Sequence, residues 1–247
     1  MRGTIGLLGG VNLDEDLWYY RNLFLAIEKR SGEDSSPRVI LHGGNEKELN
    51  RLLRDKDWGS LTEYYQRAAR DLEASGATSL VFCSDVMHHI AHDIQKVVMI
   101  PILRIEEALK RFLDSSGIKR LGIICCNEPE DHMHYQDMKD SRLFFCSQEE
   151  SQRLFSLFED RSLPFQRSDE ASVVIGQLFG RMREKGISHI LLTDSEITYA
   201  IGDRIDDIKI YCSDTIHKDY VVDTLINDRE AEVLHPLPKK HRSFIEV

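Results

Sequence analysis

Cys83 closes an apolar run, SLVFC, and is followed at once by Ser84 and Asp85, both residue types that cap helices. A thiol so placed lies near the positive end of a helix dipole, which favours the thiolate, the form that takes protons and attacks carbon. A buried cysteine acting as a small hydrophobe fits the same place, and position alone leaves both readings open. Ligands of open α/β sheets gather beyond the carboxyl ends of strands, close to helix amino termini. That rule selects four turns, at 9–12, 83–85, 125–127 and 193–196.

The histidines offer a second kind of chemistry. His88 and His92 are four residues apart on one expected helix, the spacing two imidazoles need to share a metal. The neighbour of the first is His89 rather than a glutamate, and packing on the surface or between domains suits this segment better than a metal, so none is expected. His132 and His134 flank Met133 in an acidic loop, EPEDHMHY, where they either contact a ligand or are solvated. Cys125 and Cys126 are adjacent, so in a strand they point to opposite faces and are not expected to act as a redox pair.

The composition bounds what such residues can serve. The chain has 247 residues, with 32 Lys or Arg against 42 Asp or Glu, a formal charge of -10 that disfavours nucleic acid as a partner. No run approaches the roughly 18 to 20 apolar residues of a membrane span, and MRGTIGLLGG reaches two glycines before a signal peptide could develop. The expected protein is cytoplasmic. Its five cysteines are odd in number and lack zinc-site spacing, so reduced thiols are expected.

Short apolar runs alternate with longer amphipathic stretches, the pattern of βαβ units. Strands are predicted at 4–8, 38–41, 79–83, 99–103, 120–125, 143–146, 188–193 and 208–211. Helices are predicted at about 14–30, 58–75, 85–96, 104–115, 131–139, 168–185, 195–204 and 214–226, and the acidic runs around 46–57 and 149–160 read as exposed helix faces. The two halves share punctuation: SLVFCS after Gly76 has its counterpart in SHILLTDS after Gly186, and TIGLLGG at 4–10 in RLGIICC at 120–126. The expected fold is therefore α/β, with two similar doubly wound, parallel-sheet domains related by a pseudo-twofold and a site in the cleft between them. The first half, 1–115, carries Cys83; the second, 116–230, carries Asp194; 231–247 is an irregular tail.

The opening IGLLGG, the pair Tyr19-Tyr20, FCSDVMH at 82–88, KRLGII at 119–124 and LLTDSEI at 191–197 together resemble the aspartate/glutamate racemase family of cofactor-independent amino-acid racemases. The resemblance runs from about residue 4 to 217. It implies a homodimer and no pyridoxal phosphate or other cofactor. It also implies two cysteines on opposite faces of a small amino acid or dicarboxylate, exchanging its α-proton. Cys83 falls on the first of them, and Asp194 stands where the family has the second, followed by Ser195 and Glu196. Raising the carboxyl of Asp194 by about three pH units, as a base at neutral pH needs, would take roughly 4 kcal/mol of burial or charge repulsion.

Other positions carry over as substrate contacts: Asn12, Ser84, Asp85, His88, Ser195, Glu196 and His217. Asp85 replaces a family asparagine, so an ionised carboxylate there would repel a substrate carboxylate unless it is protonated or meets the substrate ammonium. Cys125-Cys126 and Pro129-Glu130 replace the family's Gly-Thr and Thr-Met, while Tyr135 keeps its pattern; Cys212-Ser213 replace Asp-Thr ahead of the retained His217. The second strand empties into His42-Gly43-Gly44-Asn45 rather than a serine-containing turn, so the identity of the substrate does not transfer. The leading expectation is a racemase or epimerase using Cys83 and Asp194. Its alternatives are a one-sided single-cysteine decarboxylase, lyase or cis-trans isomerase of a diacid, and a catalytically silent amino-acid-binding homologue.

Overall fold

The computed structural model describes residues 3–32, 36–125, 133–158, 169–193 and 207–226. In chain order the elements are β1 (Thr4–Leu8), α1 (Leu13–Ser31), β2 (Arg38–His42), α2 (Glu46–Arg54), α3 (Trp58–Ala74) and β3 (Ser79–Phe82). A 3₁₀ helix (Asp85–Ile90) follows, then α4 (Ala91–Gln95), α5 (Ile105–Ser116), β4 (Leu121–Ile124), α6 (Met133–Asp137), β5 (Leu143–Phe145), α7 (Gln148–Phe158) and α8 (Asp169–Glu184). The last described elements are β6 (His189–Leu192), β7 (Lys209–Cys212) and α9 (Ser213–Ile226).

The strands form two parallel sheets, ordered β2-β1-β3 and β5-β4-β6-β7. The expected α/β class with parallel sheets is what the structure has. Their central strands are short apolar runs, TIGLL, SLVF, LGII and HILL, buried on both faces as parallel strands are. Side chains alternate across a strand, so each sheet sorts its residues between two layers. Ile5, Leu7, Val81 and Cys83 of the first sheet and Leu121, Ile123 and Leu191 of the second point into one shared core. Leu8, Leu80 and Phe82 face a separate outer core built on α3, while Ile124, Ile190 and Leu192 face another built on α8.

The shared core also takes Tyr19, Leu23 and Ile27 from α1, Leu109 and Leu113 from α5, and Val221 and Val222 from α9. Each such side chain removed from water contributes about 1.5–3 kcal/mol, so the central helices bind the two sheets into one body. α9 leaves the second sheet and packs against the first half, where Arg30 of α1 pairs with Asp219, at 3.2 Å, and with Asp223.

Two segments depart from expectation. The predicted strand at 99–103 is reduced to a single bridge, Leu80 to Ile102. The bridge rests on two bonds, the Leu80 amide to Pro101 O and the Leu103 amide to Leu80 O, both at 2.8 Å; Pro101 has no N–H to extend the ladder, and on the outer side the Ile102 amide donates to the Gln95 side chain at 2.9 Å. The predicted helix at 85–96 splits into the 3₁₀ helix and α4. The split leaves His88 buried and His92 exposed, so the pair cannot share a metal. Among the described residues no three His, Cys, Asp or Glu side chains group to hold one, and none of the described helices is long and apolar enough to cross a membrane.

Candidate active site

β1 and β3 end side by side, and the backbone continues their pairing into the two turns: the Cys83 amide donates to Leu8 O at 3.0 Å and the Gly9 amide to His42 O at 3.0 Å. Asn12 then caps α1, its Oδ1 accepting from the Asp14 and Glu15 amides at 2.9 and 3.3 Å. With that oxygen committed, a substrate contact from Asn12 has to be donated by its Nδ2.

Asp16, on the first turn of α1, turns back under the loop. It is 4% exposed, its Oδ2 accepts from the Gly10 amide at 2.7 Å, and its carboxylate lies close enough to the Cys83 thiol for each to shift the other's titration. Both glycines are required here. A Cβ on Gly9 would collide with the Asp16 carboxylate, and Gly10 has φ +107 with Gly44 N 2.7 Å from where a Cβ would lie.

Burial holds the Asp16 carboxyl at about 6, above its ordinary range. Burial, together with the charges of Asp16 and Glu15, pushes the Cys83 thiol well up. The thiolate expected from the helix dipole is therefore not the resting form. A single 3₁₀ helix supplies only a partial positive charge, and it is outweighed by loss of water and two nearby carboxylates. Cys83 rests as a thiol with a buried carboxylate nearby.

Asp85 does not cap its helix. Tyr135 donates to its Oδ2 at 2.6 Å and His134 Nε2 stands 3.1 Å from its Oδ1. Both partners come from α6, so a carboxylate of the first half is held by donors of the second. Its charge is answered within the protein, which removes the expected conflict with a substrate carboxylate. His134 is buried against this group, correcting the solvated alternative. Replacing Tyr135 by Phe keeps the buried ring and removes one donor from Asp85. The expected cost is about 1–3 kcal/mol, read as a lowered urea midpoint; an unchanged midpoint would show that this bond does not help to hold the halves together.

Ser84 occupies the position before the 3₁₀ helix without spending its hydroxyl on a cap. His88 is 3% exposed and accepts from the Ile105 amide at 3.3 Å through Nδ1. His217 donates from Nε2 to Leu103 O at 2.7 Å and accepts from the Tyr19 hydroxyl through Nδ1 at 3.1 Å. The two rings pack edge to face with centroids 4.8 Å apart. Burial keeps His88 neutral, its pKa well down, and brings His217 to about 4.

On the second sheet, Thr193 is buried, its amide donating to Ile124 O at 3.1 Å and its carbonyl accepting from Ser213 Oγ at 3.2 Å. β6 is thus anchored up to the residue preceding Asp194. Asp194, Ser195, Glu196, Cys126, Pro129, Glu130, His132, the predicted helix at 195–204 and the tail lie outside the described residues.

Sequence reasoning missed Asp16. Its neighbours Asp14 and Glu15 make it look like one more acid complementing a helix dipole. The signal was its phase: Asp16, Tyr19, Leu23 and Ile27 form the buried stripe of α1, and a carboxylate on that stripe has to meet a partner inside.

Residues 8–204 match the model of a family described as Asp/Glu/Hydantoin racemase. Solved structures share the fold. A protein from Yersinia pestis described as an Asp/Glu racemase is 20% identical, with 91% of this chain and 99% of that chain covered and a TM-score of 0.78. An aspartate racemase homologue from Pyrococcus horikoshii OT3 is 18% identical over 91% of this chain and 99% of that one, with a TM-score of 0.70. Glutamate racemase from Francisella tularensis, solved with D-glutamate, is 14% identical over 92% of this chain and 82% of that one, with a TM-score of 0.59.

Proposed function

The chain belongs to the Asp/Glu/Hydantoin racemase family, and we propose that within it the protein is a cofactor-independent racemase or epimerase of a small amino acid or dicarboxylate, with Cys83 and Asp194 as the two proton carriers. The observation that carries this reading is the buried Asp16 carboxylate, turned back under the Gly9-Gly10 loop at the strand ends where Cys83 also lies. A thiol raised by burial is useless as a base until something takes its proton. Asp16, at about 6, is ionised at neutral pH and placed to do so. Transfer exchanges a thiol beside a carboxylate for a thiolate beside a neutral acid, so no net charge is created in the core.

The thiolate then removes the α-proton while Asp194 supplies one to the other face; the reverse reaction exchanges their roles. Charge that develops on the substrate carboxylate would be met by the Asn12 amide, the Ser84 and Ser195 hydroxyls and main-chain amides at the strand ends. His88 and His217, neutral and hydrogen-bonded, would set the floor of the site. D-glutamate, bound by the Francisella relative, is one ligand of the expected class; this chain's altered second-strand turn keeps the amino acid open.

A second reading is favoured by Asp16 itself. Since Cys83 has its proton acceptor on its own side, a one-sided reaction such as decarboxylation, elimination or cis-trans isomerisation needs no partner opposite. Proton NMR of L-amino acids and small dicarboxylic acids in deuterated buffer tests both. Loss of an α-proton signal with appearance of the other enantiomer is the expected result. A one-handed product selects the second reading, and neither exchange nor product from any candidate rejects both.

A further inference from the structure

Two cysteines that the proposed chemistry does not use lie together on the second sheet. β4 and β5 are parallel neighbours with Ile123 beside Phe145, and Cys125 and Cys146 continue the two strands just past their ends. Continuing that register sets Cys146 level with Ile124 and Cys125 one residue further on, so what brings the two sulfurs together is a shared partner beyond the strand ends. Both sulfurs address one hydroxyl: Ser151 Oγ is 3.0 Å from Cys146 Sγ and 3.9 Å from Cys125 Sγ. Ser151 is 1% exposed and Cys125 4%, whereas Cys146 is only half-buried.

Cys146 also stands just before Ser147, the residue that caps α7, whose start is closed by a reciprocal pair of bonds. The Ser147 amide donates to Glu150 Oε2 at 2.6 Å and the Glu150 amide to Ser147 Oγ at 3.3 Å. A hydrogen bond from Cys125 and the Ser151 hydroxyl bring the Cys146 thiol down to about 6 despite its burial. Cys83 and Cys212 behave oppositely, Cys212 being pushed up to about 12 by burial and the charge of Asp214. Accessibility and thiolate character meet at one sulfur, with a second thiol behind it.

We infer that Cys146 and Cys125 form a peroxide-reactive dithiol site, Cys146 as the attacking sulfur and Cys125 as the resolving one. The Cys146 thiolate attacks a hydroperoxide oxygen; the O–O bond breaks, an S–O bond forms, and the leaving oxygen takes up from solvent the proton that the thiol had released and departs as water or alcohol. The Cys125 sulfur then attacks the sulfenic sulfur, the S–O bond breaks, and that oxygen leaves as water with the Cys125 proton. Two thiols become one disulfide, two electrons passing to the peroxide.

The experiment treats the full chain with equimolar hydrogen peroxide, blocks remaining thiols, and maps tryptic peptides by mass spectrometry. The expected product joins peptide 121–139 to peptide 143–153 with loss of both thiols, and dithiothreitol reverses it. Cys126 shares the first peptide, so variants separate them. Cys126→Ser is expected to keep the link, Cys125→Ser to lose it and accumulate oxygenated Cys146, and Cys146→Ser to leave Cys125 reduced. A link that survives Cys125→Ser, or Cys146 remaining reduced at a dose that oxidises Cys212, would overturn the assignment.

Discussion

Replacing Cys83 by Ala is expected to abolish exchange of the substrate α-proton, a fall of at least about 10³-fold, since positioned acid-base groups contribute roughly 10²–10⁴-fold. Cys83→Ser is expected to fail as well. A hydroxyl takes the same place near Asp16, but it holds its proton far more tightly than a thiol, and Asp16 at about 6 cannot take it. The serine variant therefore separates geometry from acidity. Because Cys83 is 2% exposed within the shared core, circular dichroism melts of both variants are needed to tell lost chemistry from lost fold. Undiminished exchange in a folded Cys83→Ala protein would remove the thiol from the reaction, and substrate binding without exchange in the wild type would leave a binding protein.

Much of this was legible in the chain because burial writes itself into strand composition. SLVF and LGII lie inside their sheets on both faces, and short apolar runs flanked by Gly and polar turns are what buried parallel strands look like in sequence. The strand-end rule then located Cys83 without any knowledge of packing. What it could not supply was the sulfur's protonation state, because that depends on burial and on a carboxylate more than sixty positions away along the chain and on another element. The segment at 99–103 misled for a related reason: its apolar composition is that of a strand, but Pro101 lacks the N–H that would extend its pairing with Leu80, and the Gln95 side chain takes the outward Ile102 amide. His134 reads as a loop residue until α6 brings it to Asp85. In each case the deciding partner is distant in sequence, and the local pattern is compatible with more than one tertiary answer.

Asp16→Asn is the second variant with a large expected effect, and it should move activity and stability in opposite directions. An asparagine can still accept from the Gly10 amide, so the loop keeps its support, but it cannot accept the thiol proton as a carboxylate does. Turnover is expected to fall about 10²–10³-fold, with KM changed far less than kcat. In the wild type, kcat/KM is expected to fall on the acid side below about 6, where Asp16 is protonated and can no longer take the proton of Cys83. In the variant that limb should disappear and any residual rate should rise only toward the high pKa of the isolated thiol. The stability sign follows from the same shift. Asp16 is held above its ordinary carboxyl range when folded, so between about 4 and 6 the native state binds the proton more tightly than the unfolded one, and stability declines as pH rises through that window. Above it the wild type keeps a charge buried at a cost the neutral amide does not carry. Urea titrations at pH 8 should therefore find Asp16→Asn at least as stable as the wild type, with the difference closing as the pH falls to 4. A variant that is both inactive and destabilised at pH 8 would mark Asp16 as structural. Wild-type turnover in the variant would mean that the Cys83 proton leaves by another route.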